Sequence, residues 1–399
     1  MVAHGVEWTL KELFVFPNEQ VYWTIQIVLY PFITGLVAGA FILSSLHHVF
    51  HKEEFKDIAR YALVFSFALL LVAPIPLQLH ILQPIRGFQI FFTPHFVSAI
   101  AAFGMVLTLY GLIVVSEIWF MYRTHFIHQA QAYRERPGII NKGLALLFSA
   151  FTLGATRTDD IAFHRDIKAL TFLAGLGIPV ACVLHGYVGF IFGSVKSNAL
   201  WSSPLMPVIF LMSAMVSGVA LCAVTYLIIL KFKRIPVEAP FLRALANYLL
   251  AFLVLAFVLE ILDMIYRAYV GQSSWNILKP LLFEKDFFKL VILQYLIGNV
   301  LPFLLLCIPS MSVSRLSITS LLVLFGVFMM RWNVVIGGQG FSNTYQGFMH
   351  YEIPIIPHNL ETLKEGLIGA VIVCLLPFIF FFIINFFTPA LPSKKLKTG

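Results

Sequence analysis

Charge is what this sequence has least of. Of its 399 residues only 12% are Asp, Glu, Lys or Arg, roughly half the share of a soluble globular domain. That scarcity, with 60% hydrophobic residues and a mean hydropathy of +0.89, excludes a soluble domain and points to a chain that crosses a membrane repeatedly. Cysteine is also sparse. Cys182, Cys222, Cys307 and Cys374 stand apart, one per apolar run and with no C-x-x-C, which argues against zinc, iron–sulfur and disulfide roles. Residues 1–20 hold no basic stretch followed by an apolar core, so the first apolar run is expected to act as its own insertion signal. Gly337-Gly338-Gln339-Gly340 follows an apolar run rather than a strand; it reads as a re-entrant turn, not a nucleotide loop. No Ser, Cys or Thr nucleophile arrangement is visible. The formal charge of +8 is a topology signal, not a sign of nucleic acid.

What the sequence does have is length of apolar run. Nine windows, 21–46, 58–83, 95–122, 166–192, 203–231, 241–270, 286–309, 314–332 and 361–387, are each about long enough to cross a hydrocarbon core of ~30 Å. A tenth, 143–155, is too short and is expected at the interface. Lys and Arg give the orientation. With the N-terminus outside, the inner segments 47–60, 123–168, 231–243, Arg315 and the tail Lys394–Lys397 collect 18 of the 27. The expectation is an all-α polytopic protein of the cytoplasmic membrane, N-terminus out and C-terminus in.

The sixth run carries charges where a span should carry none. Glu260, Asp263 and Arg267 follow an apolar stretch that begins after Arg243, and their spacing of i, i+3, i+7 puts them on one helix face. A charge at membrane depth costs roughly 2.5–3.5 kcal/mol on insertion scales and normally pairs inside the bundle. Arg267 neutralises one acid and leaves the other. His80, Arg86 and His95, His185 and Tyr187, and Arg331 with Asn333 also fall at the outer ends of their runs, with Glu117 the main exception. A one-sided cluster favours a site over scattered anchoring charges. Residues 35–43 (GLVAGAFIL) echo 214–222 (AMVSGVALC), which suggests a parallel repeat of two four-helix bundles plus a ninth helix. The expected divisions are an outer segment 1–20, a first bundle 21–200, a second 201–345, and 346–399 holding an outer loop, the last helix and a basic tail. Gly35-x-x-x-Gly39 reads as a close-packing face.

Several readings stay open at this point. His80, His95 and His185 could ligate a b-type haem if two faced each other at one depth. His47, His48 and His51 read as a wet inner loop, with proton uptake as the sharper alternative. A secondary transporter or a passive membrane anchor would also be apolar and multi-spanning, although a transporter site sits nearer the midplane.

The order and spacing of Gln83-Pro84-Ile85-Arg86-Gly87-Phe88, Thr93-Pro94-His95-Phe96, Leu184-His185-Gly186, Asp263-Met264-Ile265-Tyr266-Arg267 and Arg331-Trp332 leading to Gly337-Gly338 resemble the NrfD/PsrC family of polysulfide-reductase-type membrane subunits. The likeness runs over 21–360. LHGYVGFIFGS and RWNVVIGGQ lean toward the long branch, and within it toward the membrane subunit (DsrP-type) of the sulfite-reduction-associated DsrMKJOP complex. The sequence departs from the family at His80, where members commonly carry an acid four residues before the proline. The resemblance implies a subunit of a respiratory oxidoreductase with no haem, iron–sulfur cluster or metal of its own. It implies electron exchange between a quinone, menaquinone first, and an iron–sulfur (ferredoxin-like) partner at the outer face, with further membrane and cytochrome subunits and a role in sulfur metabolism. Asp263, Glu260, His185 and His80 are the expected proton-handling groups. His185, Tyr187, Asp263, Tyr266, Arg267, Arg331, Arg86 and His95 are the expected quinone-binding set.

Overall fold

The computed structural model describes residues 6–7, 21–198, 200–271, 273–341 and 348–392. The tail Lys394–Lys397, Met1 and most of the expected outer segment lie outside the described residues. In lipid a backbone N–H or C=O finds no water, so an apolar run must satisfy its own hydrogen bonds as helix. Among the described residues nine helices are long and apolar enough to span: α1 (Ile25–His48), α2 (Glu53–His80), α3 (Phe103–Arg134), α4 (Asp160–Gly193), α5 (Met206–Phe232), α6 (Ala239–Val270), α7 (Phe288–Cys307), α8 (Val313–Gln339) and α9 (Leu367–Phe387). Among the described residues the fold is all-helical apart from a two-residue antiparallel pairing of Val6–Glu7 with Phe348–Met349. The chain is a multi-pass integral membrane protein.

Short polar residues set the helix starts. Thr24, Asp159 and Ser312 cap α1, α4 and α8 through their side-chain oxygens, each satisfying an N–H that has no partner within its helix. Pro74 and Pro76 kink α2 near its end, splitting off the turn Ile75–His80, because proline removes a donor and crowds the preceding turn. The short helix Ile139–Phe151 packs on α3, four residues earlier than its apolar window suggested.

One expected span is corrected. The third helix begins at Phe103, not near residue 95, and runs on to Arg134. Residues 81–102 instead form the two single turns Pro84–Gly87 and Gln89–Phe92 and a bent connection. Pro84 and Pro94 bias the residues before them away from the helical region, which a hydropathy window does not register. His95 therefore lies in this connection and not on a helix.

Helix α1 is buried along nearly its whole length and packs against α2, α4, α5 and α8. Its crossing with α5 needs glycine. A Cβ on Gly39 would lie 2.3 Å from the Ala214 carbonyl oxygen, and one on Gly218 would lie 2.4 Å from the Cα of Gly39. The two small-residue stretches noted above are thus in backbone contact, with dispersion and close approach replacing the hydrophobic drive that lipid cannot supply.

At one end of the bundle several elements lock together. Trp23 stacks on Trp201 at 4.8 Å, Trp201 donates to the Val334 carbonyl at 2.6 Å, and Asn198 donates to the Gly338 carbonyl at 2.6 Å. The Glu365 carboxylate, just before α9, accepts from Thr24 and lies 3.2 Å from His80 Nδ1. We call this the Arg86 end; His48 marks the other.

Candidate functional site

Three polar groupings occupy the Arg86 half. The first is a narrow cavity of about 100 Å³ between α6, α7 and α8, lined by Glu260, Asp263, Arg267, Gln294, Tyr295 and Asn333 among apolar side chains. Arg267 Nε donates to Asp263 Oδ2 at 2.8 Å, and Ser203 Oγ donates to Oδ1 at 2.6 Å. Both oxygens of Asp263 are therefore engaged, and its partner is Arg267 one turn on. Glu260 is held separately: Asn333 Nδ2 donates to Gln294 Oε1 at 2.7 Å, and Gln294 Nε2 donates to Glu260 Oε2 at 2.9 Å. Gln294 sits in a wide-turned π-helical stretch of α7, Phe288–Val300, a geometry that recurs at functional sites.

The second grouping lies deeper, between α4, α5 and α8. Arg331 is fully buried. Its Nη2 donates to Ser213 Oγ at 2.7 Å and the Phe210 carbonyl at 3.2 Å and lies 3.1 Å from His185 Nε2, and its guanidinium carbon is 3.7 Å from the Phe210 ring centroid. A guanidinium only donates, so His185 Nε2 accepts and Nδ1 carries the proton.

The third is a wider cavity of about 310 Å³ where the connection 81–102 folds over α1, the end of α2 and the start of α3. Arg86, Gln89, His95 and Ser98 line it from the connection, Gln78 from α2, and Tyr30 and Thr34 from α1; Leu77, Ile90, Phe91, Phe103 and Leu107 give it apolar walls. Two buried polar atoms on these walls, the Tyr30 hydroxyl and Gln78 Oε1, have no hydrogen-bond partner among the described residues. Such orphans are uncommon and call for a reason. On the same connection Leu82, Ile85, Phe92 and Val97 are almost wholly exposed.

The expected residues thus divide among these places. Asp263, Glu260 and Arg267 share the narrow cavity, Arg86 and His95 the wide one, and His185 with Arg331 neither. His185, Asp263 and Tyr266 were expected to meet at one ring; the structure does not bring them together. Tyr266 is 51% exposed and outside the cavity, because it stands about 100° round the helix from Arg267 and about 120° from Glu260. His80 turns to Glu365 rather than into a cavity. Tyr187 accepts from the Ala102 N–H at 3.2 Å and lies along Phe103, so it braces the wide cavity's wall from behind. His80, His95 and His185, the haem candidates, stand in three separate surroundings. Sequence reasoning missed Tyr30, Gln294, Ser203 and Ser213. Gln294 was signalled by being one of two amides, with Asn299, in an apolar run; Tyr30 was not, since a tyrosine in such a run reads as packing.

Comparison with known proteins places this geometry. The profile described as "Polysulphide reductase, NrfD" matches residues 14–343. A selenate reductase subunit of Mesobacillus selenatarsenatis is 30% identical over 364 residues, covering 88% of this chain and 83% of that protein. A putative dimethyl sulfoxide reductase membrane subunit of Halobacterium salinarum is 28% identical over 58% of this chain and 49% of that protein. An Hdr-like menaquinol oxidoreductase integral membrane subunit of Archaeoglobus fulgidus is 24% identical over 57% and 48%. The lean toward a sulfite-reduction branch draws no support from these relatives, the first of which belongs to a selenate reductase. The match over most of the chain settles the family: this protein is an NrfD-type membrane subunit of a respiratory oxidoreductase complex.

Proposed function

We propose that this subunit exchanges electrons between the membrane quinone pool and an iron–sulfur partner, with the wide Arg86 cavity as the ring site. The observation that carries the reading is the pair of orphaned polar atoms. A buried donor and a buried acceptor, the Tyr30 hydroxyl and Gln78 Oε1, belong to residues that line this cavity, and each costs about 1–3 kcal/mol while unpaired. A quinone carbonyl takes the tyrosine's hydrogen bond and a quinol hydroxyl donates to the glutamine. The apolar walls suit the ring and the exposed apolar side chains of the connection suit access for a lipid-soluble molecule from the side. When bound, a quinone supplies two-electron, two-proton redox chemistry; the protein's share is to hold the ring and move protons at its oxygens.

In this reading Arg86 and His95 bind and polarise the ring's oxygens, and His80 with Glu365 forms a relay at the same end. Glu260, Asp263 and Arg267 make a second, narrower pocket that stores a proton and balances charge, and Arg331 with His185 keeps the core between the two pockets polar. A relative is named a menaquinol oxidoreductase, which favours menaquinone. The Lys/Arg bias supports an Arg86 end outside the cell, where the iron–sulfur subunit would dock. The terminal substrate is handled by other subunits.

Tyr30→Phe removes one hydrogen bond without changing shape. It should raise the apparent KM for quinol roughly 2–10-fold, the worth of about 0.5–1.5 kcal/mol, in a complex that assembles normally. An unchanged KM in an intact complex removes Tyr30 from the ring site.

A further inference from the structure

A buried acid at the opposite end belongs to none of these groupings. Glu117 of α3 is wholly buried, and neither of its carboxyl oxygens has a hydrogen-bond partner among the described residues. The titratable group against it is His48, the last residue of α1, whose Nδ1 lies 3.4 Å from Glu117 Oε1 and 3.3 Å from Ser44 Oγ. His47 precedes it, and exposed His51 and Lys52 follow. Arg60 of α2 lies within electrostatic reach of His48, Tyr110 within reach of Glu117 and Tyr122 within reach of Arg60, while the Arg123–Asp166 ion pair, His125 and His128 stand further along α3. An isolated carboxylate in a dry bundle is too costly to persist. The dyad therefore holds one proton, as acid plus imidazole or as carboxylate plus imidazolium.

Helix α1 links this dyad to the wide cavity. Tyr30, Thr34, Val37, Phe41, Ser44 and His48 are spaced 4, 3, 4, 3 and 4 apart and so form one stripe along the helix. At the far end Tyr30 and Thr34 line the wide cavity. At Val37 the Ser66 hydroxyl donates to the backbone carbonyl at 3.1 Å, and it lies 3.2 Å from the Tyr110 hydroxyl. Tyr110 is seven residues before Glu117 on α3, a rise of about 10 Å. Phe41 breaks the stripe, its ring edge-on to Tyr110 at 5.5 Å. The polar groups at this level therefore pass Phe41 on its α2 and α3 side, through Tyr110 and Ser66 to the Val37 carbonyl.

We propose that Glu117 and His48 form the proton port of the His48 side, serving the ring site past Tyr110 and Ser66 to the Tyr30 end of α1. The inference rests on the quinone reading above. Reducing one quinone takes two electrons from the partner's iron–sulfur cluster and two protons, and oxidising the quinol returns both. The port assigns those protons to the His48 side, although the ring lies near the Arg86 end. The dyad carries one proton, so it is used twice per turnover.

The test uses the intact complex in proteoliposomes of one orientation, with reduced benzyl viologen as electron donor, menaquinone in the membrane and pH dyes on both sides. The expected result is two protons taken up per quinol on the His48 side. Glu117→Gln should slow turnover at least tenfold, with the KM for quinone unchanged and with bound-quinone stoichiometry retained. Proton uptake on the Arg86 side by the wild-type complex overturns the port, and that measurement stands even if Glu117→Gln fails to assemble. Wild-type turnover by an assembled Glu117→Gln complex also overturns it. No quinone reduction by the wild-type complex overturns the quinone reading itself, and the port with it.

Discussion

At the residue scale the molecule is governed by where its few polar atoms find partners. Arg331 is the extreme case, a buried cation whose hydrogen bonds go to neutral groups and whose face lies on Phe210. A planar guanidinium both stacks and donates in a fixed fork, and an ammonium does neither. Arg331→Lys should therefore destabilise the protein by about 1–3 kcal/mol, because His185 Nε2 or Ser213 Oγ loses its donor inside the core. The measurement is the thermal midpoint of the detergent-solubilised complex; an unchanged midpoint would show that lysine reaches the same acceptors. Asp263 and Glu260 show the complementary pattern. One acid is saturated by Arg267 and Ser203, the other hangs on an amide chain from Gln294 and Asn333. The unequal partners of these two acids were half legible in the sequence. The i, i+4 spacing predicts the Asp263–Arg267 pair, but nothing local says that Gln294, on another helix, takes Glu260.

At the element scale the organising contact is the crossing of α1 and α5. Both backbones meet at Gly39 and Gly218, and a methyl on either has no room. Gly39→Ala should force the helices apart and, since α1 also contacts α2, α4 and α8, sharply lower the amount of assembled protein in membranes; a normal yield would show that the crossing can slide. The Gly35-x-x-x-Gly39 spacing announced a close-packing face on α1, but the echo at 214–222 read only as a repeat, and that α5 is the partner comes from the structure. The start of α3 was not legible in the same way. Residues 95–102 are apolar enough that a window joins them to the span, yet they follow Pro94 in a bent connection that lines the wide cavity. His95, expected at a helix start, lies in that connection. Tyr30 was hidden for the opposite reason: it is on a fully apolar helix, and only the absence of a partner for its hydroxyl among the described residues marks it.

At the scale of the whole molecule two polar cavities lie at one end and the Glu117–His48 dyad at the other, with α1 running between them. The apolar runs and their Lys/Arg bias sufficed for nine spans and for the crowding of polar groups at one end. They did not suffice to divide that crowd, because a cluster at one depth reads as one site until lateral position is known. The central claim is that the ring is held by the Arg86 cavity rather than the Glu260–Asp263 pocket. Photolabelling of the intact complex with an azido-menaquinone, followed by peptide mapping, tests it most directly. The account predicts label within residues 78–107 or on the α1 segment around Tyr30, and competition by unlabelled menaquinone. Competed label confined to residues 260–267 or around Gln294 would contradict it and move the ring to the narrow pocket.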